Sequence, residues 1–442
     1  MALPVRSLPV IQRWDCHSCS DCCRTYHVRV TPTEKERILS QGWDEATELG
    51  GRPPVVWDAS LGSDRLNHTA DGACVFLGDD HRCRIHARFG AAAKPLACRL
   101  YPFVLVPAGD HWRVGIRFAC PSAAENLGKP VPEHEPDLAD YARLLEAETP
   151  TALRSLPPPP LQPGLTLPWS DLLRVADTID DLLADPRIPF EQRIRRVLTF
   201  SKLAQPVRPQ VLAGGIRPVL QVLAAAAIDE TPDQPDSLPP PGWVGRMLFR
   251  QAAAIYIRKD HGPNAGIARH SKWTRIHAAW RFALGRGTVP RLHAKIPATT
   301  FAAAEHPHPP LEPAIHPLLS RYFRVKILSL QFCGRANFGL PFWDGLASLL
   351  LTYPLLMWLY RLLAANASDN PQSRMILALR IIDDNFGYNP LLGTARQSWA
   401  VRILRDRGEL DRLSAWYSRE IPDTTQASQK DSPAAASSES AR

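Results

Sequence analysis

Residues 16–23 read Cys-His-Ser-Cys-Ser-Asp-Cys-Cys, a C-x2-C-x2-C-C run that single cysteines follow farther along the chain. Two residues between cysteines allow a tight turn to direct both thiolates at one metal, and three cysteines at this spacing resemble the start of a bacterial ferredoxin run. The run therefore predicts that this part of the chain folds around metal. The predicted ligands are Cys16, Cys19, Cys22, Cys23, Cys74, Cys83, Cys98 and Cys120.

These eight cysteines lie within the first 120 residues, and the rest of the 442-residue chain holds only Cys333. Eight thiolates could complete two four-sulfur sites, each either tetrahedral zinc or a [4Fe-4S] cluster. Because adjacent side chains diverge, we expect Cys22 and Cys23 to serve neighbouring sites, or one of them to be a spare thiol. The spacing does not choose between zinc and iron. A purely structural metal and a disulfide-paired knot are the alternatives.

Basic residues crowd the later cysteines, namely Arg84, Arg88, Lys94 and Arg99. They would offset the negative charge of metal-bound thiolates, or they could simply be solvated. His86 could replace one thiolate or donate a hydrogen bond to a sulfur, although a lone histidine is more often a packing residue.

Further motifs accompany the cysteines: Gly72-Ala-Cys74-Val-Phe76-Leu77, Cys83-Arg-Ile85-His86, Lys94-Pro95-Leu-Ala-Cys98-Arg99-Leu-Tyr101-Pro102-Phe103 and Cys120-Pro121. With the first run, they resemble the YkgJ-type cysteine-cluster family over residues 13–128. That resemblance implies a zinc- or iron-chelating domain. The chain also resembles the related flagellin lysine N-methylase, in which a cysteine domain precedes a helical region and the first cysteine group has a longer gap. This second resemblance implies an alternative function, a protein lysine N-methylase that uses S-adenosylmethionine.

The rest of the chain predicts a helical domain that proline divides. The chain has 43 prolines, and proline-rich stretches at 156–168, 229–242 and 306–317 favour extended backbone. Helical periodicity is clearest at Trp169–Ala184, where seven apolar residues share one face. Further helices are predicted at 190–203, 218–228, 244–258, 273–284, 318–330, 344–366, 373–384 and 394–416.

The predicted fold class is mainly α: a small irregular α+β Cys-rich metal-binding domain followed by an all-α helical domain. The predicted boundaries are 13–128 for the cysteine domain, 129–168 for a proline-rich linker region, 169–420 for the helical domain and 421–442 for a disordered tail. Hydrophobic burial alone would leave the cysteine domain marginal, so a bound metal would supply its stability.

No export signal is visible, because prolines and arginines interrupt every apolar run before residue 16. The longest uncharged stretch suited to a membrane is residues 345–360, which is shorter than the roughly 20 residues of a spanning helix. We therefore expect a buried core helix and no membrane span. These features predict a cytoplasmic protein, in which thiols stay reduced and bind metal.

Residues 243–303 hold eleven Lys or Arg against one acid, Asp260, while the whole chain carries +8. This basic segment could bind an acidic protein or an anionic ligand, or it could be the solvated face of a helix pair. Nucleic acid is not expected, because no nucleic-acid-binding motif accompanies the charge. We expect the segment to face outward. If it lined a cavity instead, Arg269, Lys272 and Arg275 would contact the ligand.

Sequence motifs of common enzymes are missing. The chain has no G-x-S-x-G motif, no Gly-rich turn of a doubly wound sheet and no C-x3-C-x2-C radical cluster. A methylase would therefore need another cofactor site, within the helical region.

Overall fold

The computed structural model describes residues 3–6, 8, 12–59, 61–148, 156–207, 215–260, 264–267, 271–365 and 370–421. The predicted tail lies outside these residues from position 422 onward, and so does Arg269. The described chain is mainly α-helical, and its short strands lie in the N-terminal part, as predicted.

The N-terminal part alternates short strands with short helices. Its strands are β1 (Val5–Arg6), β2 (Arg13–Trp14), β3 (Val55–Asp58), β4 (Ser63–Leu66), β5 (Phe103–Pro107), β6 (Trp112–Ile116) and β7 (Lys129–Pro130). Its helices are α1 (Asp21–Thr25), α2 (Pro32–Leu39), α3 (Arg84–Phe89), α4 (Leu96–Leu100) and α5 (Pro121–Ala124). Helix α2 begins at a capping box, in which the Thr31 side chain and Glu34 satisfy each other's backbone N–H groups.

Three small sheets organise these strands. The largest has the order β1-β6-β5, with β5 antiparallel and β1 parallel to β6. Strands β3 and β4 form an antiparallel hairpin in which Val55 pairs with Leu66. Strands β2 and β7 pair antiparallel, so residues 13–14 and 129–130 close the N-terminal part.

The second part is all-α. Its helices are α6 (Glu135–Glu148), α7 (Trp169–Ala184), α8 (Phe190–Ala204), α9 (Ile216–Glu230), α10 (Trp243–Tyr256), α11 (Lys272–Leu284), α12 (Phe301–Glu305), α13 (Ile315–Leu328), α14 (Phe342–Leu363), α15 (Pro371–Asn385), α16 (Ala395–Asp406) and α17 (Glu409–Tyr417). The predicted helices from residue 169 to 384 all form, with ends that differ by a few residues.

Two segments differ from the sequence-based expectation. The helix predicted over 394–416 is two helices, because Gly408 adopts a left-handed conformation with φ of 66° and separates α16 from α17. The segment 129–168, predicted as a proline-rich linker region, contains α6 before its extended stretch at 156–168. Acidic Glu135 and Asp137 in the first turn and buried Leu138 and Ala142 explain why a helix forms there.

Helix α14 is the central helix of the molecule. All 22 of its residues are buried, and most of them are apolar. By length and composition it is the one helix among the described residues that could cross a membrane, but its apolar window lies wholly inside the protein. The expectation of a buried core helix at 345–360 is confirmed.

The buried apolar residues form one large core, one small core and a minor cluster of Leu3, Trp112 and Ala142. The large core runs from Phe103 to Tyr417 and so includes β5, β6 and α5 together with the helices. The small core lies between the first and last cysteines of the N-terminal part and contains Val30, Ile38, Leu49, Leu66, Val75, Phe76 and Ile85. The small core therefore belongs to residues 30–85, while the chain from residue 103 onward packs with the helical part.

Candidate functional site

A cavity of about 560 Å³ opens beside the small core. Five of the predicted ligands line it: Cys22, Cys23, Cys74, Cys83 and Cys98. They come from separate elements that meet at this point. Helix α1 carries the first two, a β-bridge to His68 holds Cys74, and helices α3 and α4 position the last two.

Backbone hydrogen bonds connect these segments. The Cys74 amide donates to the Cys23 carbonyl at 2.8 Å, which ties the third cysteine segment to α1. Leu77 and Cys83 form a β-bridge, so the turn between them is closed before α3 begins. The fold of the small core therefore brings cysteines that are distant in sequence to one cavity.

Cys22 and Cys23 do not point apart, contrary to the expectation from their adjacency. Their sulfurs lie 3.9 Å apart, and both side chains line the cavity. The reason is that residues 21–25 are helical, and consecutive side chains on a helix diverge far less than those on a strand. Two thiolates on one tetrahedral ion would be about 3.8 Å apart if each metal–sulfur bond is ~2.3 Å.

The other three predicted ligands do not line the cavity. Cys16 and Cys19 are exposed, and Cys120 is buried at the start of α5. Cys120 nevertheless lies close enough to Cys19 and Cys22 for their charges to interact. Cys19 is in turn close enough to Cys16 for the charges of these two residues to interact. The structure thus gathers one group of five cysteines in the cavity, places Cys19 and Cys120 near Cys22, and leaves Cys16 near Cys19.

No three His, Cys, Asp or Glu side chains within the described ranges are grouped closely enough to hold a metal ion in this conformation. All nine cysteines are free. The donor set still fits a thiophilic metal, because five thiols share one cavity. The eight-ligand site itself stays a prediction.

Burial controls the protonation of these thiols. It raises the pKa of Cys98 to about 12, against the opposing effect of Lys94, and it also raises the pKa of Cys74. The pKa of Cys120 is raised to about 11, mainly by burial. Because a metal binds thiolates, loading this site would release protons.

Cationic side chains face the thiols. Arg29, Lys94 and Arg117 line the cavity, and no Asp or Glu is among its described lining residues. This arrangement would balance the negative charge of metal-bound thiolates. Of the four cations expected near the later cysteines, only Lys94 is among the described residues that line the cavity. His86 is exposed on α3.

Two histidines that the sequence analysis did not select also line the cavity. They are His27 and His68, whose rings lie 4.6 Å apart. Burial, with charge from His27 and Arg65, lowers the pKa of His68 to about 4. His68 is therefore neutral near pH 7. Its Nδ1 accepts a 3.1 Å hydrogen bond from Arg65 and its Nε2 donates to the Tyr26 carbonyl at 3.3 Å, so both nitrogens are occupied in this conformation.

One wall of the cavity is aromatic and centres on Arg117. The Arg117 guanidinium carbon lies 3.7 Å from the Tyr388 ring centroid and 5.0 Å from that of Tyr26. Tyr26 donates a 2.7 Å hydrogen bond to Asp384, which also pairs with Arg117 and with Lys259. Burial opposes ionisation of Asp384, but the two cations lower its pKa overall.

Helix α15 fixes the cysteine segments to the helical part. Arg380 pairs with Asp21 at 2.7 Å, between Cys19 and Cys22. Asp383 accepts a 3.0 Å hydrogen bond from the amide of Ala119, the residue before Cys120. Three neighbouring positions of one helix, 380, 383 and 384, therefore hold three different parts of the site.

Sequence reasoning missed this helix as part of the site. The signal was available: the pair Asp383-Asp384 interrupts an apolar run on a helix whose neighbours are buried. Tyr101 and Arg117 lay within the resembling region but offered no metal-ligand chemistry. Only the fold shows that they form the aromatic wall.

The basic segment 243–303 does not contribute to the described cavity lining. The expectation that it faces outward holds for Lys272 and Arg275 on α11, which are exposed. Lys259 instead reaches inward to Asp384.

The comparisons with known proteins concern the N-terminal part. Residues 15–123 match the CxxCxxCC family model, described as "Putative zinc- or iron-chelating domain". This match confirms the resemblance to a zinc- or iron-chelating cysteine family, and the relation to the lysine N-methylase stays a prediction. Comparisons with curated proteins and with solved structures found no match.

Proposed function

We propose that this chain is a cytoplasmic metal-binding protein whose N-terminal cysteine cavity holds zinc or iron through thiolates. One observation carries the proposal: five cysteines from four elements line a single cavity whose charged lining residues are all cationic. Thiolate ligands suit zinc and iron–sulfur clusters, and free thiols persist in a reducing compartment.

The sulfur geometry favours a single tetrahedral ion. Cys22 and Cys23 are 3.9 Å apart, which matches two thiolates on one zinc ion. In a [4Fe-4S] cluster four cysteines serve four irons, so two sulfurs on one iron are not required. Cys74 and Cys98, whose charges interact with that of Cys22, are the best candidates to complete the site.

Metal analysis and absorption spectra of anaerobically purified protein test the proposal. Zinc would give metal without visible absorption, and an iron–sulfur cluster would give a coloured protein. Cys22→Ala and Cys98→Ala are expected to lose the metal, while the matched control Cys333→Ala retains it, because Cys333 is buried in the large core. Full metal content in both cavity variants, or no metal in wild-type protein, contradicts the proposal.

A second candidate function, the protein lysine N-methylase, requires a cavity that admits S-adenosylmethionine, and the cysteine cavity is large enough. Its volume of about 560 Å³ falls in the range of about 300–1,000 Å³ typical of small-molecule sites. A compound of the size of S-adenosylmethionine could therefore reach the cysteine wall. The test is transfer of labelled methyl groups to lysine in a panel of proteins, and loss of transfer in Cys22→Ala but not in Cys333→Ala supports this candidate.

A further inference from the structure

Helix α11 presents an apolar face to solvent. Trp273 is 78% exposed, Trp280 59%, Ile276 58% and Leu284 47%. Their spacing of three, four and four residues places them on one side of the helix. They form a ridge about 17 Å long at 1.5 Å per residue. We call this ridge the α11 surface.

The α11 surface cannot turn inward. Ala278 and Phe282, on the opposite side of the helix, are buried. The Phe282 ring packs edge-on against Phe301, with ring centroids 5.2 Å apart, and also contacts Trp358 of the central helix. Because the core holds that side, the two tryptophans stay exposed unless something outside the described chain covers them.

Three cations of the basic segment, on α10 or just after it, form a first group that has acidic partners within the protein. Arg250 pairs with Glu305 at 3.3 Å, Arg258 with Asp260 and Lys259 with Asp384. Arg246, also on α10, instead stacks on Trp416.

The second group lies on α11 or in the loop that follows it and comprises Lys272, Arg275, Arg281 and Arg286. None of them forms an ion pair with a described residue, and residues 271–291 contain no Asp or Glu. The charge around the exposed tryptophans therefore lacks an internal counterpart and is complementary to an anionic surface.

We propose that the α11 surface docks on the surface of an anionic phospholipid bilayer. Helices that lie in a membrane interface place Trp and Leu on one face and Lys or Arg beside it, and the apolar face enters the headgroup region. Tryptophan suits this depth, because its ring is apolar and its N–H still reaches polar groups. Acidic lipids attract the flanking cations.

A bilayer accounts for this surface better than an acidic protein does. The α11 surface is a ridge on one helix, and fluid lipid can receive a ridge without a matching groove. Tryptophan and arginine are common in both kinds of interface, so the shape of the ridge decides between them. The proposal does not depend on the metal, because the residues concerned lie outside the cavity lining.

Cosedimentation of the full chain, as purified, with vesicles tests the proposal. The vesicles contain either pure phosphatidylcholine or phosphatidylcholine with 30% phosphatidylglycerol. The variant Trp273→Ala/Trp280→Ala is compared with the matched control Trp57→Ala/Trp399→Ala, whose tryptophans are 65% and 59% exposed on other elements. A third variant changes Lys272, Arg275 and Arg286 to Gln, and circular dichroism checks that every variant is folded.

We expect binding to the anionic vesicles only, weakened by 0.5 M salt. The α11 double variant should bind about tenfold more weakly, and each cation removed should cost about fivefold. The control variant should bind like wild type. The proposal is overturned if the wild-type chain does not bind anionic vesicles, or if the α11 double variant binds as well as the control. Binding to polyglutamate or to a single-stranded oligonucleotide, without binding to vesicles, also overturns it.

Discussion

At the scale of single residues, Asp383 and Lys326 form an ion pair that is almost completely buried. The Lys326 ammonium lies 2.6 Å from the carboxylate, and both side chains are at most 1% exposed. Burial lowers the pKa of Lys326, and the Asp383 charge opposes that shift. Removing one partner would leave a buried charge without compensation.

We predict that Asp383→Asn lowers the free energy of unfolding by about 3 to 5 kcal/mol, measured by urea denaturation. The double variant Asp383→Asn/Lys326→Met should be less destabilised than Asp383→Asn alone, because it no longer buries an unpaired ammonium. A loss below about 1 kcal/mol in the single variant would show that water or another group compensates Lys326.

His293 gives a prediction of pH dependence. It is 5% exposed, and burial, with charge from Lys295 and Lys259, lowers its pKa from 6.5 to about 4. Between these pH values His293 binds a proton more readily in the unfolded chain than in the folded chain. The stability that neutral His293 contributes is therefore lost as pH falls from about 6.5 to about 4.

A shift of this size corresponds to about 3 kcal/mol at most. We therefore expect His293→Asn to flatten the decline in melting temperature over this pH range, relative to wild type. The exposed His277→Asn serves as control and should follow the wild-type curve. Parallel curves for wild type and His293→Asn would show that His293 does not contribute to acid destabilisation.

At the scale of elements, proline positions and helical periodicity predicted the helices well, because both act within a few residues. Helix α7 has the predicted ends, 169 and 184. The break at Gly408 was missed, because one glycine within a helical pattern is also compatible with a continuous helix. The proximity of Cys22 and Cys23 depends on a five-residue helix without buried residues, for which the pattern gives no signal.

Because sequence patterns report only local structure, α15 was not expected at the site. Its contacts to Asp21, Tyr26 and Ala119 join residues more than 250 positions apart, and no local pattern encodes such pairing. Cysteine spacing predicted five cavity residues from their chemistry alone. The aromatic wall and its carboxylate follow from how the large core packs.

These contacts make α15 a positioning element for the proposed metal site. We predict that Arg380→Ala, which removes the pair with Asp21, weakens metal binding about 10- to 100-fold. Titration with a competing chelator measures the affinity. Arg396→Ala is the control, because Arg396 contacts only Gln251 among the described side chains, at the protein surface. Equal losses in both variants would point to a general effect of charge.

At the scale of the whole molecule, the division of the core predicts how the protein responds to loss of metal. The small core has seven buried apolar residues, whereas the large core includes α14 and continues into β5 and β6. A module with few buried residues depends on ligation for its stability, because metal-binding energy is also folding energy. The large core does not depend on metal ligation in this way.

We therefore predict that chelation unfolds residues of the small core and leaves the large core folded. Backbone amides within 30–98 should exchange hydrogen rapidly after chelation, while those of β5, β6 and α14 stay protected, because local opening follows local burial. Circular dichroism should lose only a minor part of the helical signal, since α2, α3 and α4 are short. Hydrogen exchange with mass spectrometry separates the two outcomes. If β5 and β6 exchange together with residues 30–98, metal holds the N-terminal part as one unit and the division between the cores does not govern unfolding.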